Sequence, residues 1–386
     1  MRNIRRSRLG GMVLVLALVA AACGDDEPAA TTAAPATTAA PATTAAPDTT
    51  AASATTAAPD TTAAPTTEAP MEPTVIRVQL NWTADPGFLG LYMADELGFF
   101  AEENVVPEFE YGGPNVPHPV QILAGGAADI GFGGLPSVAE AVSQGDDLVI
   151  FGTRLQEGIL GISSLASDPI LAASDICGSK IGATPGDIVT LDALLTINGL
   201  EAGCYDMVPV GFDPSPVAEG LVRGQVNYMN SHPIILDFMG VDNVAVSYAE
   251  LGMQMYHDLV FVNRSFVDAN RDAVVGFLRA MIKGWEAAFA DPDTAIDLMM
   301  NKWGGAELGM DISFQRPVHD AQVPLMTSSL TDEKGLFQMD LDAIATTMWD
   351  VLALTGIDNL PPAESMVDVS LLDDAFAGCG ASLLDC

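Results

Sequence analysis

The chain has 386 residues, of which 51 are Asp or Glu and 15 are Lys or Arg, so its formal net charge is −36. A surface this acidic repels the phosphates of nucleic acids and of anionic membranes, which excludes a nucleic-acid partner and membrane binding through a basic patch. About 310 residues follow the amino-terminal segments described next, more than one hydrophobic core usually holds. We therefore expect two lobes.

Residues 1–22 have the pattern of a secretory signal peptide. Four arginines precede a short apolar run from Met12 to Ala22, which is too short to remain as a spanning helix. Val19 to Cys23 is similar to a bacterial lipobox, although Ala20 stands where leucine is usual. We expect export, lipidation of Cys23 and anchoring to the cell membrane through that lipid alone. The alternative is plain cleavage and secretion, with Cys23 lost or unpaired.

Residues 23–73 predict a disordered stalk. From Ala29 to Pro70 the sequence repeats TTAAPA-like units at a six-residue period, with almost no charge and no aromatic residue. Such a segment buries too little apolar surface to offset the entropy that ordering would cost. It separates the lipidated cysteine from the folded part of the chain.

Cysteine usage agrees with export. Cys177 precedes one predicted strand and Cys204 the next, so in a βαβ unit both fall at the amino edge of the sheet, close enough to bridge. Cys379 and Cys386 are expected to close a small loop in the tail. The cysteine spacings fit neither a zinc site nor a thioredoxin motif, and the four scattered histidines lack metal-ligand spacing. We expect no metal and no cofactor.

The first folded stretch predicts a strand, a turn and a helix. Ile76, Val78 and Leu80 alternate with polar residues, the chain breaks at residues 85–87, and apolar residues then recur at helical spacing up to Gly98. Further strands are predicted at 107–111, 128–132 and 148–153, with a helix before each. This alternation favours a parallel sheet covered on both faces.

A second lobe is predicted at 163–262, between two halves of the first lobe at 74–162 and 263–386. The apolar run 158–165 is taken as the first crossing, and the strand 259–263 as the return. Strands inside the second lobe are predicted at 180–183, 207–210, 225–229 and 244–246. Helices are predicted at 272–290, 294–300 and 341–354, and the tail is expected to wrap over the first lobe.

Four loops at predicted carboxyl ends of strands are the candidate ligand site. Open α/β sheets bind ligands at such ends, where helix N-termini offer free N–H groups and glycine permits close approach. Trp82 and Phe88 are placed to stack on a flat ring whose edge Asn81 and Asp85 read; alternatively, Trp82 covers the core and Asp85 only begins a turn. Residues 256–258 either reach the cleft or pack at the hinge. The candidate ligand-binding residues are Asn81, Trp82, Asp85, Phe88, Gly133, Gly134, Ser137, Thr184, Gly186, Asn230 and Ser231.

The sequence offers no catalytic constellation. It contains no nucleophile elbow, Walker loop or HExxH motif, and no dinucleotide fingerprint follows a strand. We therefore expect a binding protein rather than an enzyme.

Four segments carry a resemblance to a known family: LNWTADPGFLGLYMADELGFFAEENV, AGGAADIGFGG, GQVNYMNSHP and FLRAMIKGWEAAFADPDTAI. In order and spacing they resemble the thiamine-pyrimidine-synthase-like substrate-binding proteins of ABC importers. The resemblance implies an α/β, two-lobe type II periplasmic-binding-protein fold with two crossings, in which closure of the lobes holds the ligand.

The resemblance also implies the ligand class and the partner. It points to a monomer that delivers a small planar N-heterocycle, such as a thiamine pyrimidine precursor, to an ABC importer permease. Riboflavin, nitrate, sulfonates and taurine are the alternatives. Carried over by position, Trp82 and Phe88 flank the ring, and the polar partners are Gly133, Ser137, Thr184 and Asn230.

The sequence also departs from the family pattern. Asn227 stands at the family's usual aspartate, Asn230-Ser231 replace its acidic partner, and Glu103-Asn104 replace a glycine-leucine pair. The fungal pyrimidine synthases of this family need a substrate histidine and a cysteine-rich motif, and the sequence has neither. An exported enzyme on the same fold and a sensory lobe that presents its ligand to a receptor stay open as alternative functions.

Overall fold

The computed structural model describes residues 72–386. The predicted signal peptide, Cys23 and nearly all of the predicted stalk lie outside these residues. Within this range no helix combines the length and the apolar character needed to cross a bilayer.

In residues 72–386, ten strands form two five-stranded sheets. The strands are β1 (Thr74–Gln79), β2 (Val105–Glu110), β3 (Ile130–Gly133), β4 (Leu148–Leu155), β5 (Leu160–Leu165), β6 (Lys180–Ala183), β7 (Asp206–Pro209), β8 (Gly224–Tyr228), β9 (Asn243–Ser247) and β10 (His257–Asn263). The first sheet has the order β2-β1-β3-β10-β4 and the second the order β7-β6-β8-β5-β9. Each sheet therefore has the same plan, in which one strand from the other half of the chain is inserted beside the last strand.

The inserted strands make both sheets mixed. β10 runs antiparallel to β3 and β4, and β5 runs antiparallel to β8 and β9, whereas the remaining pairs, β1 with β2 and β3 and β6 with β7 and β8, are parallel. The expectation of a purely parallel sheet was wrong in this respect. A strand that enters from the other sheet needs no crossover helix, so it is free to run antiparallel.

The helices cover the faces of the two sheets. They are α1 (Leu89–Glu96), α2 (Phe99–Glu102), α3 (Pro119–Ala124), α4 (Leu135–Ser143), α5 (Ile188–Ile197), α6 (Ser215–Ala218), α7 (His232–Phe238), α8 (Arg264–Ala290), α9 (Pro292–Asn301), α10 (Ile312–Met326), α11 (Ser329–Lys334), α12 (Leu341–Ala343), α13 (Trp349–Leu354) and α14 (Ser370–Ala375). α8 begins earlier than predicted and has non-helical dihedrals at Asn270. The predicted helix 341–354 is divided by a π-helical stretch at Ile344–Met348.

The chain changes sheets at 156–159 and at 248–256. All of β5 belongs to the second sheet and all of β10 to the first. The predicted second lobe, 163–262, therefore began three residues too late and wrongly included most of β10. Both strands are mostly buried, with apolar residues at their centres, and such a run carries no sign of the sheet with which it pairs.

The core of the first lobe forms around β1 and α8. Ile76 and Val78 are fully buried on β1, as the alternating pattern predicts, and Trp285 of α8 is buried against α1. A Cβ atom on Gly284 would lie 1.9 Å from the carbonyl oxygen of Gly90, so α1 and α8 cross where neither glycine has a side chain. This close crossing fixes α1 over the sheet, directly after the candidate ligand loop.

The carboxyl-terminal segment covers the free edge of β4. The Ile150 N–H donates to Met366 O at 2.7 Å, and the Thr153 N–H donates to Phe337 O at 3.0 Å. The predicted wrap over the first lobe is therefore present. It extends further than predicted, because α13 also packs against α5 of the second sheet.

Two disulfides lie at the predicted positions. Cys177 is joined to Cys204 in the second lobe, and Cys379 is joined to Cys386 in the tail. The first pair lies beside β6 and β7, whose parallel register brings the segments before both strands together.

Candidate ligand-binding cleft

The two lobes meet at an aromatic contact. Trp82 follows β1 of the first sheet and Phe212 follows β7 of the second, and their ring centroids lie 5.6 Å apart in an edge-to-face arrangement. Trp82 is 36% exposed and Phe212 is 47% exposed. The carboxyl ends of strands from both sheets therefore converge on one gap, which is the geometry that the candidate site requires.

Phe212 continues into a second aromatic ring. It stacks on Tyr228, the last residue of β8, with centroids 5.9 Å apart and an angle of 15° between the planes. Trp82, Phe212 and Tyr228 are called the aromatic cluster below. Because Trp82 comes from one lobe and the other two rings from the second, opening of the lobes would separate the faces between which a flat ring can lie.

The second lobe places polar groups behind the aromatic cluster. The carboxylate of Asp187, just before α5, accepts from the Thr184 hydroxyl at 2.7 Å and from the Thr184 N–H at 3.0 Å. Asn227 is 3% exposed; its Nδ2 donates to Ser163 Oγ, and its Oδ1 has no hydrogen-bond partner among the described residues. Thr184, Asp187 and Asn227 line a cavity of about 10 Å3 within the second lobe, which holds at most one water molecule.

His232 connects two members of the aromatic cluster. Its Nδ1 accepts from the Tyr228 N–H at 3.0 Å, and its Nε2 donates to the carbonyl oxygen of Phe212. The ring is buried at the start of α7. Burial lowers the pKa of His232, although hydrogen bonds to the backbone at Phe212 and Tyr228 and the charges of Asp187 and Asp213 act against it.

The first lobe contributes a buried ion pair at the same edge. Arg154, near the end of β4, pairs with Asp258, near the start of β10, and both side chains are buried. Asn81 Nδ2 donates to Asp258 Oδ1 at 2.9 Å, and His257 Nδ1 lies 3.2 Å from the same oxygen. Burial alone would raise the pKa of Asp258, but Arg154 and His257 outweigh it and hold that pKa well below its usual range.

Arg154 also ties the ligand loop to the carboxyl-terminal helices. Its Nη1 donates to Gln322 Oε1 at 3.0 Å, and Gln322 Nε2 donates to Pro86 O at 2.8 Å. The guanidinium carbon lies 5.6 Å from the centre of the Trp285 ring. The Arg154 guanidinium is therefore already bound by its neighbours.

Asp85 starts the short helical turn at Pro86–Phe88. Its Oδ1 accepts from the Gly87 N–H at 2.6 Å. Burial raises the pKa of Asp85 to about 7, and the charge of Asp258 adds to this, whereas Arg154 and the Gly87 N–H act in the opposite direction. Near neutral pH this carboxyl is therefore present in both protonation states.

The structure brings together only part of the predicted set. Asn81, Trp82 and Asp85 lie at the cleft edge of the first lobe, and Thr184 faces the small cavity from the second. Gly133, Gly134 and Ser137 form the end of β3 and the start of α4, and Gly186 is exposed in the loop before α5. Asn230 and Ser231 form the turn after β8, where Ser231 Oγ lies 3.5 Å from Tyr228 O.

Phe88 lies elsewhere than predicted. It is 4% exposed and packs edge-to-face on Phe132 in the core of the first lobe, with centroids 6.2 Å apart. The turn at Pro86–Phe88 points its ring inward, so Phe212 and Tyr228, not Phe88, lie in the cluster with Trp82.

Sequence reasoning missed Phe212, Tyr228, Arg154 and the pairing role of Asp258. Phe212 and Tyr228 lie at carboxyl ends of predicted strands, and this position was the available signal. Arg154 is a charge near the end of the otherwise uncharged strand LVIFGTRL, and a charge in a buried strand requires a buried partner. Which carboxylate supplies that partner depends on the pairing of β4 with β10.

The family follows from comparison with known proteins. A model of the family described as NMT1/THI5 like matches residues 85–295, more than half of the chain. The chain belongs to this family. The resemblance found in the sequence is thereby confirmed.

Relatives within this family have different activities. The chain is 26% identical over 234 residues to the formylaminopyrimidine-binding protein of Halalkalibacterium halodurans. The alignment covers 58% of the chain and 69% of that protein. It is 27% identical over 278 residues to the riboflavin-binding protein RibY of Chloroflexus aurantiacus, covering 70% of the chain and 78% of RibY. It is 24% identical over 231 residues to 4-amino-5-hydroxymethyl-2-methylpyrimidine phosphate synthase of Legionella pneumophila, and the alignment covers 58% of the chain and 72% of that synthase.

Solved structures agree on the fold. The periplasmic aliphatic sulphonate binding protein SsuA of Escherichia coli aligns with a TM-score of 0.58 at 15% identity, covering 77% of this chain and 96% of SsuA. This likeness, with the two sheets of identical plan, confirms the predicted two-lobe periplasmic-binding-protein fold.

Proposed function

We propose that this protein is an extracytoplasmic solute-binding protein of an ABC importer, and that it captures a small planar N-heterocycle between its lobes. The observation that carries the proposal is the aromatic cluster, in which Trp82 of one lobe touches Phe212 of the other. Aromatic faces stack on flat heterocycles, and closure around the ring would produce the surface that a permease recognises. Two relatives named for binding a formylaminopyrimidine and riboflavin support this ligand class.

The charges at the cleft favour a neutral or protonated heterocycle over an anion. Asp187 lines the second-lobe wall, and Asp85 and Asp258 lie at the first-lobe edge. Arg154 is occupied by Asp258 and Gln322. An anion such as nitrate or a sulfonate would lose its hydration without gaining a free cation, and this cost disfavours binding. We therefore place nitrate, sulfonates and taurine behind a pyrimidine or a flavin.

Binding is favoured over catalysis at two of the three carboxyls near the cleft, Asp258 and Asp187, whereas Asp85, with a pKa of about 7, titrates near neutral pH. Asp258 is engaged by Arg154 and Asn81, and Asp187 by Thr184. A general acid or base must be free to exchange a proton with a bound substrate. The synthases among the relatives make turnover a necessary control in any binding experiment.

The test is a ligand titration of the purified chain, followed by tryptophan fluorescence and by the melting temperature. The ligands are 4-amino-5-hydroxymethyl-2-methylpyrimidine, its formylamino analogue, riboflavin, nitrate and taurine. We expect saturable binding and a raised melting temperature with a pyrimidine or riboflavin, since only the folded form binds. Stabilisation by nitrate or taurine alone, or by none of the five, would overturn the proposal, and conversion of a ligand to a product would identify an enzyme.

The membrane anchor is proposed separately, from Cys23 and the lipobox-like segment. Export of the native chain in a bacterial host should place it in the membrane fraction. The Cys23→Ser variant should leave the same folded protein soluble outside the cell. Equal distribution of the two proteins between the fractions would contradict lipidation.

A further inference from the structure

We infer that His232 is a positioning residue, which holds Phe212 and Tyr228 together as one stacking surface and makes ligand binding sensitive to acid. This inference rests on the proposed function, since it concerns the same cleft. His232 contacts the backbone of both aromatic residues: Phe212 lies in the loop after β7, and Tyr228 is the last residue of β8. Gln225 of β8 also holds this loop, through bonds to Gly211 O and Asp213 O, but it does not contact Phe212 itself.

The backbone fixes the proton on the imidazole. The Tyr228 N–H can only donate, so Nδ1 of His232 must be the acceptor and carry no proton. The Phe212 carbonyl can only accept, so Nε2 must carry the proton. One neutral tautomer satisfies both neighbours, and no other form of the ring does.

A second proton would break one of these contacts. Protonation places an N–H on Nδ1, facing the Tyr228 N–H, and two donors repel each other. The Ser231 hydroxyl oxygen, 3.4 Å from Nδ1, is the acceptor toward which the new N–H would turn. The tip of β8 would then separate from the imidazole while the Phe212 contact remained, and the two stacked rings would lose their fixed spacing. The surface that receives the ligand would change without any change in the ligand itself.

The charged and titratable groups around His232 set the acid limit. Asp187, before α5, and Asp213, after Phe212, both favour the protonated ring, and Tyr228 is the remaining titratable neighbour. Burial outweighs the two carboxylates, so the pKa of His232 lies below its ordinary value. The burial of Tyr228 raises its pKa to about 12. The Tyr228 hydroxyl therefore stays protonated and neutral at neutral and acidic pH.

Three substitutions separate the two contacts. His232→Asn keeps an acceptor near the position of Nδ1, His232→Gln keeps a donor near the position of Nε2, and His232→Leu keeps neither. His319→Gln is the matched control, because His319 is also buried but lies on α10 of the first lobe. All four variants are compared with the unmodified chain by melting temperature, to show that each is folded.

The binding measurement uses riboflavin and 4-amino-5-hydroxymethyl-2-methylpyrimidine as probes, titrated from pH 7.5 to pH 4.5 (about three units, which spans the ordinary histidine pKa of about 6.5). In the unmodified chain we expect the affinity to fall about tenfold for each pH unit below the pKa of His232. The Asn and Gln variants should be weaker at neutral pH and lack this fall, and the Leu variant should be weakest. Each variant is compared with the unmodified chain using the same probe at the same pH, so any protonation of the probe affects both affinities equally.

A ligand-free measurement keeps the inference testable if neither probe binds. Nitrogen-15 NMR of the imidazole should show a neutral ring protonated on Nε2 at pH 7.5, and the near-ultraviolet circular dichroism of the aromatic cluster should change as that ring takes up its second proton. A proton on Nδ1, an unchanged spectrum on protonation, or probe affinities unaffected by His232→Leu would overturn the inference. Absence of probe binding with the expected NMR result would overturn the proposed ligand class and leave the positioning role intact.

Discussion

Arg154 and Asp258 form a buried ion pair between the strand that leaves the first sheet and the strand that returns to it. Arg154 is the penultimate residue of β4, and Asp258 is the second residue of β10, with φ at 52°. Asn81 and Gln322 connect this pair to both sides of the ligand loop, through Asp258 Oδ1 and Pro86 O. The hinge and the loop that carries Trp82 are therefore parts of one hydrogen-bonded network.

Removing one member of this pair should destabilise the fold strongly. Arg154→Met leaves the Asp258 carboxylate buried without its cation, and we expect a loss of about 3–5 kcal/mol in the free energy of unfolding. Denaturant unfolding at pH 7 provides the measurement. The matched control is Arg264→Met, which breaks an exposed pair with Asp147 and should cost about 0–1 kcal/mol. Equal losses for the two variants would contradict the role given to Arg154.

Trp82→Ala should mainly weaken ligand binding, whereas Phe88→Ala should mainly lower the stability of the fold. Trp82 lies half exposed at the cleft, so its truncation should weaken ligand binding by about 1–3 kcal/mol and leave the fold nearly as stable. Phe88 is buried against Phe132, so its truncation should cost about 3–5 kcal/mol of stability. Calorimetric titration and thermal unfolding of both variants distinguish the two roles. Unchanged affinity in Trp82→Ala would remove that residue from the site.

Asp85 should make the protein less stable as the pH rises from about 4 to about 7. Its pKa is about 7 in the folded chain and near 3.8 in the unfolded chain, so between these values the folded form binds more protons than the unfolded form. The free energy of unfolding therefore falls as the pH rises through this window. Asp85→Asn does not titrate. As the pH rises from about 4 to about 7, the unmodified chain should therefore lose unfolding free energy relative to the Asp85→Asn variant. A pH-independent difference would show that the carboxyl has an ordinary pKa.

The two disulfides should contribute unequally. Cys177 and Cys204 are 27 residues apart in sequence, whereas Cys379 and Cys386 are 7 apart. Chain-entropy arguments give a stabilisation of about 3.5 kcal/mol for the longer loop and about 2.4 kcal/mol for the shorter. Double serine variants of each pair, compared by denaturant unfolding under oxidising conditions, measure the two contributions. The reverse order would indicate that native-state strain or residual denatured structure dominates.

Gly284→Ala should disrupt the crossing of α1 and α8. The new Cβ atom would lie 1.9 Å from Gly90 O, a distance that only movement of the helices relieves. We expect a loss of stability of at least about 1–3 kcal/mol, typical of overpacking. Gly380→Ala serves as the control, since a Cβ atom there meets nothing within 4 Å and its φ is not positive. A Gly284→Ala variant as stable as this control would show that the helices shift apart freely.

The sequence by itself determined the elements, the two lobes and the family. The evidence was local: the alternation on β1, the spacing of strands and turns, and the positions of the cysteines. These patterns arise from side-chain periodicity and backbone freedom, which act within a few residues. The same local reasoning placed Asn81, Trp82 and Thr184 at or just after carboxyl ends of strands, because such an end is visible in the chain. It did not reveal that Phe88 turns inward, since a turn residue can face either side.

Tertiary structure decided which distant residues meet. The insertion of β10 beside β4 pairs Arg154 with Asp258, and the facing of the two sheets brings Phe212 against Trp82. These contacts join residues about 100 positions apart or more, and no short-range pattern records them because the energy that selects them comes from burial in the assembled lobes. His232 shows the same division: its burial beside two strand ends, and hence its single tautomer, exist only after β7 and β8 lie in one sheet.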